Sequence, residues 1–532
     1  MIPEHVRAAL AEPGDDRIVY DLTGIENQLD TLLAELPGVR VRFAMKACPV
    51  DEVLSALADR GAGFDAAGPG EIRSALRTGV APEAVHYGNT VKSDADIAAA
   101  HRLGITTFAT DCVEDVRAIA VHAPGARVFC RLRTGGEGAL WGLTGKFGSD
   151  DPVAVLTEAR RLGLTPAGLS LHVGSQQMTV RAWEGAFDLL AAGIERLAGQ
   201  GITLDHVNLG GGLPAAGYPD LVPPTAAVFA AIRDGMRRLR ALAGDGLGFV
   251  VEPGRYLVAD HGAVRARVAR LTVRGTPWLY LSCGRFNGLY EGDRVRYRLE
   301  FPGHDGAALT SAMVAGPSCD SDDTLGGGPV PVPAGLRSGD PVWIHAAGAY
   351  ATSYTTVGFN GFEPPACHTV RAERIRSIAG GDWDAIAELE FAAYGSHGLS
   401  EGRAALQSRA ASSPSTSFVL DMGDRVGGYL IALPYPRFRV PDLARPEPAV
   451  FDSANLHLHD IVVDEKLRGR GWARRLLRRL TAVAQAQAYE GISLVAVDGL
   501  AGFWSSHGFR PHADVPPPGG YGPDAVYMSL GI

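Results

Sequence analysis

VRFAMKACP, Val41 to Pro49, is a short alternating apolar run that ends on Lys46 and breaks at Pro49. Alternation of this kind predicts a strand, because successive side chains of an extended chain face opposite sides. A lysine at such a strand end ordinarily points into solvent. Where apolar and aromatic neighbours desolvate it, its amine loses the proton more readily and forms a Schiff base with a carbonyl compound. The stretch alone leaves both readings open. It is the first of a series, VRVRFAMK, GFDAA, AVHYGN, TTFATD, ARVFCRL, GLSLHVG, HVNLGG and GFVVEPG, between Val39 and Gly254. Segments with apolar residues at helical spacing, such as DEVLSALADRG and SDADIAAAHRLG, separate these runs. Eight strands, each followed by a helix or loop, predict an α/β fold, a (β/α)8 TIM barrel over residues 30–256.

Chemistry in such a barrel sits at the carboxyl ends of the strands. Those ends hold Lys46, Asp65, Asn89, Arg131, His172, the triplet Gly210-Gly211-Gly212, and Glu252 followed by Gly254 and Arg255. Glycines in a turn let backbone N–H groups approach a phosphate, and an arginine adds a charge-assisted contact. Singly, a glycine triplet is often a tight turn and a histidine often a satisfied core residue. Together, a phosphate cradle, a Schiff-base lysine and an acid facing a pyridine nitrogen describe a pyridoxal 5'-phosphate site.

FAMKA, FDAAGPGEI, YGNTVKS, KFG (Lys146 to Gly148), HVGSQ, LGGG, EPGRY, GPSCDSDD and GAYATSYTTVGFNGF occur in that order over about residues 15–365. In this the chain resembles the alanine-racemase-fold pyridoxal phosphate decarboxylases of the ornithine/lysine/diaminopimelate type; it departs at Cys48, where many relatives carry asparagine. The resemblance implies that Lys46 holds the cofactor as a Schiff base, that His172 stacks on its ring and that Glu252 keeps its pyridine nitrogen protonated. Racemases on this barrel typically place an arginine at that nitrogen, so Glu252 favours decarboxylation. It also implies that Ser175, the Gly210–Gly212 turn, Gly254, Arg255 and Tyr350 hold the phosphate end, with Asp65 and Arg131 in support. Cys319 matches the proton donor to the carbanion carbon, and Asp320 the acid that pairs with a distal ammonium. Glu291 is expected as a second carboxylate at the substrate end. In this family the Cys319 segment reaches the partner's cofactor, which implies a homodimer with shared sites.

After Arg255 the runs AVRARVARLTV, PWLYLSCG, DRVRYRLEF and DPVWIHAAG predict an antiparallel β domain over 257–365, completed by RIVYDL from residues 1–29. A new rhythm follows over 373–532. There an apolar strand, NLHLHDIVV, runs into RGRGWA and then a basic amphipathic helix. Glycines at a helix start let N–H groups meet a pyrophosphate. With SLVAVDG, FWSSHGF and a closing AVYMSL strand, this part resembles the GCN5-related N-acetyltransferases, the GNAT superfamily, an α+β fold. The resemblance implies acetyl-CoA as co-substrate along Ile461, Val462 and Val463, and at Arg468, Gly469, Arg470, Gly471, Trp472 and Ala473. HLHDIVV further resembles the arylalkylamine acetyltransferase strand, which makes His457 and His459 the pair that removes the amine proton. Trp504 stands where many relatives have the tyrosine that reprotonates the thiolate; Tyr521 and Tyr527 are alternatives.

The net charge of -9 argues against nucleic acid or anionic membrane as partners. Six cysteines without metal-ligand spacing fit reduced thiols, a cytoplasmic location and no metal site. The start MIPEHVRAAL does not read as a signal peptide. The expectation is a bifunctional enzyme that acts on small molecules. It decarboxylates ornithine or lysine to a diamine and acetylates an amine, foremost that diamine. The alternatives are an acetyltransferase serving a separate amine, as in a siderophore or polyamine route, or an inactive decarboxylase-like regulatory binding protein.

Overall fold

The computed structural model describes residues 2–395, 398–422, 425–443, 445, 450–497, 499–517 and 519–532. It divides into two compact units, Met1–Arg371 and Ala372–Ile532.

In the first unit eight parallel strands close into a barrel: β1 (Val39–Ala44), β2 (Gly63–Ala66), β3 (Val85–Tyr87), β4 (Thr107–Thr110), β5 (Arg127–Arg131), β6 (Thr165–Ser170), β7 (His206–Asn208) and β8 (Gly248–Val251). They are the eight runs expected from the sequence, in chain order. The closing pair is parallel, with Phe249 opposite Val39 and Val251 opposite Val41. Amphipathic helices follow the strands, among them Asp51–Asp59 after β1 and Val180–Ala198 after β6. Phe43, Phe64, Phe108 and Phe129 are buried in the core, each contributing ~1.5–3 kcal/mol of transfer energy.

A second sheet completes this unit. Gly262–Arg274 pairs antiparallel with Thr276–Leu281, with Pro341–Ile344 and with the early strand Arg17–Asp21. This sheet is mixed rather than purely antiparallel, which corrects the sequence expectation. Thr276–Leu281 runs parallel to Leu309–Ala315, and Arg17–Asp21 runs parallel to Ala366–Val370. The last pairing carries the unit past Pro365, where the sequence suggested its end. Alternation in one strand says nothing about the direction of its neighbour, so both parallel pairs were invisible to pattern reading.

Among the described residues, the second unit is a seven-stranded sheet with helices Trp383–Tyr394, Arg403–Ser412 and Trp472–Ala486 packed on it. Its central strand, Asn455–Val463, pairs antiparallel with Val426–Pro434 over nearly its whole length. With Gly491–Ala496 it pairs in parallel over Asn455–His457 alone. The two strands therefore separate beyond His457. Among the described residues, no helix is long and apolar enough to cross a membrane.

Candidate active sites

Lys46 leaves β1 on a single 3-10 turn, Met45–Ala47, whose flanking side chains are buried while its own remains 47% exposed. The amine opens into a cavity of about 310 Å³ and lies 3.4 Å from Asp65 Oδ2. Burial pulls the amine's pKa down, but Asp65, with Tyr350 and Glu252, outweighs it and holds the group above its ordinary value. Asp65, by contrast, is buried, and the Lys46 charge with the His86 hydrogen bond keeps it well below the usual carboxylate range.

Arg131, His172, Ser175, Arg255, Glu291 and Tyr350 line the same cavity, with Trp141, Phe147 and Asn89. His172 Nδ1 accepts from the Gly174 N–H at 3.0 Å, and burial next to Arg131 and Lys46 pushes its pKa down to about 3. It is a neutral ring at any ordinary pH. Arg255 is stacked on Trp141 and Tyr350 and donates weakly to Ser175 Oγ at 3.4 Å. Its guanidinium also makes a buried bidentate pair with Glu291, at 2.5 and 2.6 Å. Glu291, expected from the sequence as a second carboxylate at the substrate end, lines the cavity as the partner of this arginine.

Glu252 and the Gly210–Gly212 turn stand behind this lining. The chain is tight at the turn: a Cβ at Gly210 (φ +67) would lie 2.0 Å from the Leu171 carbonyl oxygen. A Cβ at Gly254 would come within 3.0 Å of the Ala47 Cβ. Glu252 Oε1 receives Asn208 Nδ2 at 2.5 Å and meets His86 Nε2 at 3.0 Å. His86 Nε2 also lies 3.2 Å from Asp65 Oδ1. Sequence reading singled out neither His86 nor Asn208. The signal for His86 was its register, since Asp65 and His86 are direct partners on adjacent strands.

Cys319 and Asp320 are not in this lining; both are exposed on the β domain. Their loop is tied down by Asp323, a buried carboxylate that accepts N–H bonds from Arg285 at 2.7 Å and Ser318 at 3.0 Å. Asn360 Oδ1 accepts from both the N–H and the thiol of Cys319, at 3.0 and 3.3 Å.

The donor set suits pyridoxal phosphate: an exposed amine, a hydroxyl and arginine end for an anion, and a carboxylate cluster for a basic ring nitrogen. When bound, the cofactor supplies an electron sink for the pair released at the substrate's α carbon.

In the second unit His457 and His459 lie where the central strands separate, their rings 6.3 Å apart. His457 Nδ1 is 3.1 Å from Ser493 Oγ, which also receives Asn455 Nδ2 at 2.9 Å. His459 Nε2 is 2.7 Å from Glu401 Oε1, and Glu401 Oε2 is 2.6 Å from the fully buried Arg409. Burial and the nearby Arg409 depress both imidazoles, His457 to about 3. Burial raises Glu401 to about 7 despite Arg409. Glu401 precedes helix Arg403–Ser412 in a segment with no recognisable motif, so sequence reading missed it.

Ile461, Val462 and Val463 occupy the strand past the point of separation, where the edge toward Gly491–Ala496 lies outside the ladder. Arg468, Gly469 and Arg470 are exposed on the following turn. Gly471, at φ +77, caps helix Trp472–Ala486 and precedes Ala473 by two positions. Trp472 does not face outward; it packs with Leu420 and Leu467 under Arg475. Trp504 is likewise a core residue, between Phe503 and Phe509. The hydroxyls of the two alternative tyrosines are engaged: Tyr521 donates to the Pro441 carbonyl at 2.8 Å, and Tyr527 accepts from the Phe438 N–H at 2.9 Å. An open strand edge leading to an exposed glycine turn at a helix start suits acetyl-CoA.

These two folds and sites define a pyridoxal phosphate enzyme joined to an acyl-CoA-dependent transferase. The pyridoxal binding domain of the pyridoxal-dependent decarboxylases matches residues 22–259, and the acetyltransferase (GNAT) family matches residues 383–509. A lysine/ornithine decarboxylase of Selenomonas ruminantium is 31% identical over 351 residues, 65% of this chain and 87% of the relative. A diaminopimelate decarboxylase of Pseudomonas fluorescens is 30% identical over 376 residues, covering 66% and 88% of the two chains. The crystal structure of a lysine/ornithine decarboxylase from Vibrio vulnificus, complexed with putrescine, superposes with a TM-score of 0.61 at 26% identity, over 69% of this chain and 97% of that one. The chain belongs to the pyridoxal-dependent decarboxylases, of ornithine/lysine type, and carries a GNAT acetyltransferase domain after it. Its cofactor is pyridoxal phosphate and its co-substrate acetyl-CoA.

Proposed function

We propose that the first unit converts ornithine or lysine to the corresponding α,ω-diamine and that the second acetylates that diamine. The observation that carries this reading is the fusion itself: the product class of one domain is the acceptor class of the other. Relatives that act on lysine and ornithine support the choice of a basic amino acid.

In this reading Lys46 binds the cofactor and Asp65 holds its amine in place. Neutral His172 would stack against the cofactor ring, Glu252 would hold the proton on the ring nitrogen, and Ser175, Arg255, Tyr350 and the glycine turn would take the phosphate. Arg131, in the wall of the cavity, adds positive charge beside Asp65. Cys319 returns a proton to the α carbon after CO2 leaves, and Asp320 pairs with the distal ammonium. Because Cys319 and Asp320 are exposed on their own protomer, a second copy of the chain is the natural acceptor for that loop, which supports a homodimer with shared sites.

In the second unit the acceptor ammonium must lose a proton before it attacks the thioester, since unperturbed alkyl amines titrate near 10. If His459 Nε2 donates to Glu401, the buried Nδ1, which makes no hydrogen bond among the described residues, is the atom that accepts the proton. Glu401, titrating near neutrality, then takes part of the charge.

The test is incubation with ornithine, lysine, arginine and diaminopimelate, with and without acetyl-CoA, followed by mass analysis. The reading expects putrescine or cadaverine without acetyl-CoA and the mono-acetylated diamine with it. Acetylation of unrelated amines far faster than of either diamine would separate the two activities and end the sequential scheme.

A further inference from the structure

Three side chains converge beneath Lys46. Asp65 is the penultimate residue of β2, His86 faces it from β3 in direct register, and Glu252 follows β8. Their ligand atoms all lie within 4.8 Å of one another. Two carboxylates that close do not both stay ionised unless a cation lies between them. The His86 ring is enclosed, packed at 5.2 Å from Phe129, and its single Nε2 lies within reach of both acids, at 3.2 and 3.0 Å. Ionised carboxylates are acceptors only, so with both acids charged the ring nitrogen between them must be the donor. The nitrogen is therefore N–H, shared between the two.

We propose that His86 is a positioning residue of the cofactor site: a buried imidazolium that ties Asp65 to Glu252 and keeps both acids ionised, Asp65 for Lys46 and Glu252 for the cofactor's ring nitrogen. The proposal rests on the roles given above to Lys46 and Glu252. Asn208, from β7, donates to the same Glu252 oxygen and so helps to fix the carboxylate in place. The other charged or titratable groups around the cluster act in known directions. Lys46 and Arg131 oppose a further cation by like charge, and His206, on β7, is depressed by burial. Burial also opposes a charge on His86, but hydrogen bonds to Asp65 and Glu252 outweigh it and carry the ring up to about 9. An amide-bearing residue in place of His86 would keep a donor yet bring no charge, which separates the electrostatic role from simple packing.

The first measurement needs no cofactor. Of the fifteen histidines, the His86 imidazole is identified in the NMR spectrum of the labelled apoprotein by its loss in His86→Gln. It should stay protonated through neutrality and titrate near pH 9; titration at or below 6.5 overturns the proposal whatever Lys46 does. The second measurement is cofactor affinity and the visible spectrum against pH. His86→Gln and His86→Leu should both bind cofactor about tenfold more weakly or worse, one pKa unit of lost charge pairing being a factor of ten. The wild-type band should shift as pH rises through about 9, and His86→Gln should lack that transition. Wild-type affinity and an unchanged profile in His86→Gln also overturn it. Should His86→Gln fail to fold, His86→Asn serves both to identify the signal and to remove the charge. Stoichiometric divalent metal in the purified apoprotein, lost on His86→Gln, would replace the imidazolium by a metal site. Failure of Lys46 as the cofactor lysine is seen separately, as an unchanged spectrum in Lys46→Ala.

Discussion

At Lys46 two forces oppose each other: enclosure disfavours the ammonium, and the Asp65 carboxylate holds it charged. Removing the amine removes the point of cofactor attachment, so Lys46→Ala should abolish CO2 release. Acetyl transfer should be retained, because the second unit folds around its own core. The check is both rates on one preparation, and wild-type decarboxylation by the variant would refute the assignment. His86 makes a prediction about stability. Its folded pKa, about 9, lies above the ordinary 6.5, so its contribution is fully present below pH 6.5 and is lost as pH rises through 9. The melting temperature of the apoprotein's first unit should therefore fall between pH 7 and 9.5, and less so in His86→Gln.

At the scale of the element, the loop carrying Cys319 is held by Asp323, whose two oxygens satisfy the Arg285 and Ser318 N–H groups. Asp323→Ala leaves two partly buried donors without their acceptor, at ~1 kcal/mol each. The thermal transition of the first unit should drop, with decarboxylation lost in step. Asp320→Ala removes an exposed side chain of the same loop and should spare stability. It should instead raise KM for the diamino acid about tenfold or more, with cofactor affinity unchanged. Unaltered KM would remove Asp320 from the substrate site. In the acetyltransferase the strand Asn455–Val463 plays the equivalent part. Replacing His457 and His459 by alanine should slow acetylation by ~10²–10⁴-fold, the usual worth of a general base, with decarboxylation unchanged.

At the scale of the whole molecule, the exposed Cys319 loop and the Lys46 cavity belong to one chain, yet the loop does not line that cavity. If a second copy supplies it, mixing inactive Lys46→Ala with inactive Cys319→Ala subunits should restore part of the activity. One active site per heterodimer then combines the intact lysine of one chain with the intact cysteine of the other. No recovery after subunit exchange has been demonstrated by mass would count against shared sites.

The eight barrel strands, the lysine at the end of the first and the glycine turn at a helix start in the second unit could all be read from the chain. Each is a local pattern, set by side-chain period and turn chemistry. The parallel pairings in the second sheet, the Arg255–Glu291 pair and the Glu401–His459 contact could not. Each joins residues far apart in sequence, 36 and 58 positions for the last two, and depends on which strand or loop arrives beside which. Periodicity carries no such information. His86 stands between these cases: its strand was evident, but its role depends on two acids brought to it by barrel closure. Local sequence determined the elements and the residue types at their ends, whereas three-dimensional packing decided which charges meet, because burial and pairing are properties of the assembled core.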